Sequence, residues 1–268
     1  MSNNARRNKR QGDKSANGKQ ASKLGQRQQQ TRAERGERLI AEEQRNQRES
    51  YNLSWFKPVG SQPLIVQSME DRDLTIIDSP SGTGKTSTVL WKALSELENK
   101  YYSHIILIKT PTEVGTDQIG FLPNSADDKI SVHMEAMKSI FLDFMSLGKL
   151  ETDIKNGKIV LTIPNFVLGK TFYNSLIILE EAQTMNPETI KLLSERCGEG
   201  SRVVIVGDSK QRYSVKKRED GFRDLINRVT GEYQGFMESK YDNVGYIRME
   251  SNNNMRSSLS KFITEIYE

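Results

Sequence analysis

The sequence contains little of what a disulfide-bonded, zinc-binding or membrane-spanning protein requires. Its 268 residues include one cysteine, Cys197, and two histidines, His104 and His133. A single cysteine excludes an internal disulfide, and so few sulfur and imidazole ligands argue against a zinc site. The sequence has no apolar run of about eighteen residues, and its N-terminus is too polar for a signal peptide. We therefore expect a cytoplasmic protein that does not associate with membranes.

Basic residues are concentrated at the N-terminus. Residues 1–32 contain nine lysines and arginines against the single acid Asp13, a net charge of +8, and since the whole chain carries +4, residues 33–268 carry −4. The segment is rich in Asn, Gln, Ser and Gly, a composition typical of disorder. It either captures nucleic acid through phosphate contacts or only solubilises the chain. The pattern predicts a basic tail, disordered or partly helical, over residues 1–50 and one folded domain over 51–268.

A glycine-rich loop lies between an apolar run and a helical pattern, which is the context that a P-loop requires. Its backbone N–H groups are expected to surround phosphates at a helix N-terminus. Lys85 is expected to reach the β- and γ-phosphates of ATP, and the Thr86 hydroxyl to bind Mg²⁺. Ser79 stands where the motif has its first glycine. The candidate nucleotide-binding residues of the loop are Ser79, Pro80, Ser81, Gly82, Thr83, Gly84, Lys85, Thr86 and Ser87.

Two further apolar runs end in polar residues that suit phosphoryl transfer. The run 175–179 is followed by Glu180 and Glu181, which we expect to hold Mg²⁺ and to orient or deprotonate the attacking water, respectively. The run 202–206 ends in a G-D-x-x-Q pattern that resembles the γ-phosphate sensor of superfamily 1 helicases, with Gln211 as the sensor and Asp208 as a supporting acid. Because parallel strands present ligands at their carboxyl ends, these groups are expected to lie together.

Apolar runs alternate with helical patterns beyond residue 59, which predicts an α/β fold with a mainly parallel sheet and flanking helices. Helices are expected at 85–99 and 129–147, and another after the capping residue Asn186. The pair Trp55 and Phe56 is expected to dock on the core, with base stacking as the alternative. The predicted strands are 74–78, 104–109, 158–163, 175–180, 202–207 and 244–249. The cations Lys109, Lys170, Lys210 and Arg212 are either a phosphate-facing group or scattered surface charges.

From residue 59 to the end, the chain resembles the PhoH family of P-loop ATPases. The resemblance is carried by E-V-G at 113–115 and G-F-L-P at 120–123, G-K-T-F at 169–172, I-L-E-E-A-Q at 178–183, and the closing segment from residue 254. It implies a P-loop NTPase fold of the RecA or superfamily 1 helicase type, with residues 51–268 as the ATPase domain. It also implies adenine recognition near Gln62 and a functional arginine at Arg256.

The resemblance implies a Mg²⁺-dependent ATPase that couples hydrolysis to RNA or single-stranded nucleic acid. A nucleotide-dependent switch with little hydrolysis is the alternative, because Ser79 and Glu180 depart from the usual motifs. A helicase with two RecA-like domains hardly fits in 268 residues. A single domain also lacks a second lobe that could supply an arginine. We therefore expect a homo-oligomer, a hexameric ring by family resemblance, in which Arg256 acts on a neighbour's nucleotide. Its alternative role is to cap the closing helix or to pair with a surface acid.

Overall fold

Six parallel strands form the central sheet of the protein. The structure is a computed structural model. It describes residues 50–111, 126–211 and 220–250, together with positions 259, 262 and 266. The strands of the sheet are β1 (Leu74–Asp78), β2 (His104–Lys109), β3 (Ile159–Thr162), β4 (Ser175–Glu180), β5 (Arg202–Gly207) and β8 (Val244–Arg248), and a separate hairpin pairs β6 (Thr230–Tyr233) with β7 (Phe236–Ser239). The spatial order β3-β2-β4-β5-β1-β8 puts β5 between β1 and β4. All the pairs in this sheet are parallel, as predicted.

The inner strands β1, β2, β4 and β5 are buried on both faces because their side chains alternate between two apolar layers. On one face, Ile77, Leu107 and Ile178 pack with the first two helices and with the segment around Phe144. On the other face, Ile76, Ile177 and Ile205 pack with the last two helices. The helices are α1 (Gln62–Asp71), α2 (Lys85–Glu98), α3 (Ala126–Ser139), α4 (Leu147–Lys155), α5 (Pro187–Ser194) and α6 (Gly221–Val229). The predicted α/β class is confirmed, and each predicted strand is present to within one residue at either end.

The helix predicted over residues 129–147 is wrong in its second half. The helix α3 ends at Ser139, and the chain turns before Ser146 caps α4 by accepting a hydrogen bond from the Lys149 N–H. Phe141 and Phe144 lie in this turn and are fully buried. The buried residues of this segment are therefore divided between a helix and a turn, and both pack into the core.

Two further predictions are confirmed, the helix cap at Asn186 and the docking of the aromatic segment at residues 55–56. Asn186 caps α5, since its side chain accepts a hydrogen bond from the Thr189 N–H at 2.8 Å. Cys197 lies beyond the end of α5 and forms an isolated parallel bridge with Phe172. Trp55 stacks on Phe144 with ring centroids 5.4 Å apart, which confirms that this aromatic segment docks on the core. Among the helices in the described part of the chain, none is long and apolar enough to cross a membrane.

Candidate nucleotide-binding site

The glycine-rich loop joins β1 to α2 at the carboxyl edge of the sheet. Gly82 and Gly84 have φ of 84° and 75°, a left-handed conformation that glycine adopts without steric cost. Gly84 is the N-cap of α2, so the loop ends where the helix N–H groups point outward. The Lys85 ammonium donates a hydrogen bond to the Pro80 carbonyl at 3.1 Å, which holds it across the loop.

Ser79 stands at the position of the motif's first glycine and is held there by hydrogen bonds within the loop. Its side chain is buried, and its hydroxyl lies 2.5 Å from that of Thr83, which in turn donates to the Pro80 carbonyl. The Ser79 N–H donates to the Gly207 carbonyl at the end of β5. The serine therefore fits the loop without displacing its glycines.

Gln62, at the start of α1, supports the P-loop through its side-chain amide. Its amide Nε2 donates to the Thr83 carbonyl at 2.9 Å, and its Oε1 accepts from the Val59 N–H at 3.0 Å. The side chain is 1% exposed. The residue that the family resemblance associates with adenine is thus bonded to the loop backbone.

A short hydrogen bond joins the loop to the acidic end of β4. The Thr86 hydroxyl donates to Glu180 Oε1 at 2.5 Å, and Glu180 is 4% exposed. A hydroxyl beside a carboxylate is an oxygen donor set that suits Mg²⁺, which binds one or two protein ligands together with substrate phosphates. The residues present therefore fit the metal that a P-loop implies. Within the described ranges, no group of three or more His, Cys, Asp or Glu side chains forms a separate metal cluster.

Glu181 is oriented by its backbone and by one neighbour. It has φ 57° and ψ 44°, a left-handed conformation that is unfavourable for a residue with a Cβ. Gln183 Nε2 donates to Glu181 Oε2 at 2.6 Å, and Gln183 Oε1 accepts from the Asp208 N–H at 3.1 Å. Gln183 thus links the acidic turn after β4 to the loop after β5.

The loop after β5 begins with a buried acid. Asp208 is 4% exposed, and burial raises its pKa although its carboxylate accepts a hydrogen bond from the Lys210 N–H. The Gln211 N–H donates to the Asp208 carbonyl, so Gln211 follows in the same turn. This arrangement brings the predicted sensor segment to the same edge as the P-loop.

Lys109 reaches the acidic pair from the neighbouring strand. It ends β2, and its register partner on β4 is Glu180. Its ammonium lies 3.4 Å from Glu180 Oε2 and 4.0 Å from Glu181 Oε1. The sequence left open whether Lys109 belongs to a phosphate-facing group or to scattered surface charges, and the structure pairs it with both acids that follow β4.

Asp78, at the end of β1, contacts the loop after β5 and the middle of β8, and was not identified from the sequence. Its carboxylate accepts hydrogen bonds from the Ser209 N–H at 2.9 Å, the Ser209 hydroxyl at 2.8 Å and the Tyr246 hydroxyl at 3.2 Å. Burial, reinforced by the charge of Asp78, raises the pKa of Tyr246 to about 12. The position of Asp78 directly before the P-loop could have identified it from the sequence. Tyr246 belongs to no motif, so no sequence signal pointed to it.

Several predicted residues lie outside the described part of the chain. These are Arg212 and Arg256, the E-V-G and G-F-L-P segments at 113–115 and 120–123, and the basic tail at 1–32. Lys170 is described and exposed on the connection between β3 and β4. The described candidates that meet at the sheet edge are Lys85, Thr86, Glu180, Glu181 and the loop from Asp208 to Gln211.

Comparison with known sequences decides the family. The sequence profile described as "PhoH-like protein" matches residues 58–268. The chain belongs to the PhoH-like protein family. The PhoH-like protein of Bacillus subtilis (strain 168) is 27% identical over 203 residues, which are 76% of this chain and 60% of the relative. That of Synechocystis is 25% identical over 207 residues, 77% and 60% of the two chains. This PhoH-like chain thus spans 60% of the length of these relatives.

Two solved structures with helicase or terminase domains are distantly similar to this PhoH-like chain. The Pyrococcus furiosus Hef helicase domain is 13% identical, with a TM-score of 0.43, covering 76% of this chain and 40% of that one. The large terminase of a thermophilic bacteriophage, in complex with ADP, is 15% identical, with a TM-score of 0.38, covering 77% and 48%. The fold assignment therefore depends on the parallel sheet and the loop after β1.

Proposed function

We propose that this PhoH-like protein binds ATP with Mg²⁺ and hydrolyses it. The observation that carries the proposal is the contact between the Thr86 hydroxyl and Glu180, which joins the P-loop to the acidic strand end across β5. A glycine-rich loop alone is compatible with many turns. A loop whose hydroxyl meets a buried carboxylate at the carboxyl edge of a parallel sheet has the parts that phosphoryl transfer requires.

Each residue has a role that follows from its position. The N–H groups around Gly82 and Gly84 bind phosphate oxygens, and Lys85 leaves the Pro80 carbonyl for the β- and γ-phosphates. Thr86 and Glu180 would hold Mg²⁺, which would supply positive charge that neutralises the phosphates. Glu181 accepts a hydrogen bond from the attacking water and takes its proton.

Gln183 keeps Glu181 oriented and ties it to the loop after β5. Loss of the γ-phosphate would therefore be transmitted to the segment that contains Gln211, the proposed sensor. Asp78 supports the same loop through Ser209. These contacts support a mechanism in which ATP hydrolysis is coupled to movement of the loop after β5.

Measured ATP turnover tests the proposal. We expect Lys85→Ala to abolish productive nucleotide binding, and Glu181→Gln to bind ATP while losing roughly 10²–10⁴-fold in rate, the usual contribution of a general base. Glu188→Gln is the matched control, because it makes the same chemical change at an exposed position on α5. Near-normal turnover in both site variants contradicts the assignment. Glu180→Ala is expected to alter the Mg²⁺ dependence more than Glu181→Gln does.

A nucleotide-dependent switch with little hydrolysis is the second candidate. Lys109 favours it, since its ammonium already neutralises the carboxylates that hydrolysis would use. Tight ATP binding by the wild-type chain without turnover, with or without a polymer, would support the switch over the ATPase.

We further propose that ATP hydrolysis is coupled to RNA or single-stranded nucleic acid. The supporting observations are the +8 charge of residues 1–32 and the exposed cations Lys170 and Lys210. Turnover measured with RNA, with single-stranded DNA and without polymer tests this coupling. Equal rates under all three conditions would contradict it.

The proposed assembly is a homo-oligomer, in which Arg256 of one subunit completes the nucleotide site of the next. It rests on family resemblance and on the usefulness of an arginine in phosphoryl transfer. Mixing inactive Lys85→Ala and Arg256→Ala subunits should restore activity at some interfaces. No recovery from subunits that are shown to co-assemble would exclude action in trans.

A further inference from the structure

Lys109 and Glu180 are neighbours because of strand register. They are paired positions on adjacent parallel strands, so both side chains leave the same face of the sheet at its carboxyl edge. Their charged atoms are 3.4 Å apart. The Lys109 side chain is 26% exposed, whereas that of Glu180 is 5% exposed. The pair is therefore only partly screened by water.

Each oxygen of Glu180 has its own partner. Oε1 accepts from the Thr86 hydroxyl, and Oε2 faces the Lys109 ammonium. A buried carboxylate is costly unless a positive charge or several hydrogen bonds compensate it. Lys109 supplies that charge from within the chain. The backbone of Lys109 also contacts α3, since its carbonyl lies 3.2 Å from His133 Nε2.

A divalent cation on Glu180 would approach the same carboxylate as Lys109. Two cations on one carboxylate repel each other, and this repulsion is strong where water is partly excluded. The triphosphate of a nucleotide adds negative charge and offsets the repulsion. Without nucleotide, the lysine lowers the affinity of the carboxylate for a metal ion.

We propose that Lys109 is a positioning residue that serves as the resident counter-ion of Glu180 and makes divalent-metal binding dependent on nucleotide. This inference rests on the proposed function, because it takes Glu180 as the metal-binding carboxylate. It assigns to Lys109 a role in metal affinity, not in proton transfer or nucleic-acid contact. The site then holds a divalent cation tightly only when phosphates are present.

The test is a direct Mn²⁺ titration of the nucleotide-free full chain by electron paramagnetic resonance, which detects free Mn²⁺. We expect Lys109→Met to bind Mn²⁺ about tenfold more tightly than wild type, which corresponds to about 1.4 kcal/mol. Lys158→Met is the matched control, because it removes the same charge from an exposed position before β3, at the opposite edge of the sheet. The double variant Lys109→Met with Glu180→Gln should lose the gain.

Two results overturn the inference: Mn²⁺ affinity in Lys109→Met that equals the control, or a gain that persists when Glu180 is also replaced. If Lys109→Met does not fold, Lys109→Gln removes the charge while keeping a hydrogen-bond donor, and the same tenfold gain is expected. ATP turnover of the wild type is measured separately. Absent turnover would defeat the proposed hydrolysis and leave the metal comparison interpretable, whereas unchanged Mn²⁺ affinity would defeat only the role of Lys109.

Discussion

Replacing Gln62 by alanine should destabilise the protein and loosen the P-loop at the same time. Thr83 is fully buried, so removing the Gln62 amide that donates to its carbonyl costs about 1–3 kcal/mol for an unsatisfied buried group. The Val59 N–H is partly exposed and recovers water, so its loss adds about 1 kcal/mol or less. We expect a total of about 1–4 kcal/mol, which lowers Tm by roughly 2–16 °C for a domain of this size.

The assay combines thermal unfolding with binding of ATP and GTP. Gln67→Ala is the matched control, since Gln67 is exposed on the same helix. If Gln62 braces the loop, the variant loses stability and binds both nucleotides more weakly to the same degree. If Gln62 instead recognises adenine, its Tm matches that of Gln67→Ala and only ATP affinity falls. That second result would refute the reasoning.

Three further predictions concern other parts of the chain. A Cβ at Gly207 would lie 2.7 Å from the buried Phe222 ring, so Gly207→Ala should cost about 1–3 kcal/mol in urea unfolding, and Phe222→Leu in the same chain should recover part of it. Burial raises the pKa of Glu96 above its usual 4.5, so the contribution of Glu96 to stability should fall as the pH rises above 4.5, and urea unfolding of Glu96→Gln should lack this part of the pH dependence. Deleting residues 1–32 should preserve basal ATP turnover but weaken the salt dependence of nucleic-acid binding. The slope of the logarithm of the binding constant against the logarithm of the salt concentration should become shallower by about 0.7 for each lost phosphate contact with a single strand. An unchanged slope would assign the tail another role.

The sheet was predictable because its strands are short apolar runs with polar boundaries. A strand that is buried on both faces needs such a run, and few other elements produce one. The helix α1 was not predicted, and the break between α3 and α4 was missed. Phe141 and Phe144 continue the apolar spacing of α3, and periodicity cannot distinguish a buried helix from a buried turn.

The candidate site was predictable where residues follow strand ends, since the carboxyl ends of parallel strands share one edge. Thr86 and Glu180 are 94 positions apart and meet for this reason. The contacts of Lys109, Asp78 and Tyr246 were not predictable. They depend on strand order and register, which no single motif encodes.

The backbone at Glu181 has a consequence for engineering this domain. A left-handed residue with a Cβ costs about 1–2 kcal/mol, and glycine would remove that cost. Selection for heat resistance alone should therefore favour glycine at position 181. The same change deletes the carboxylate proposed to activate water, so a library ranked by melting temperature would enrich inactive proteins at this position.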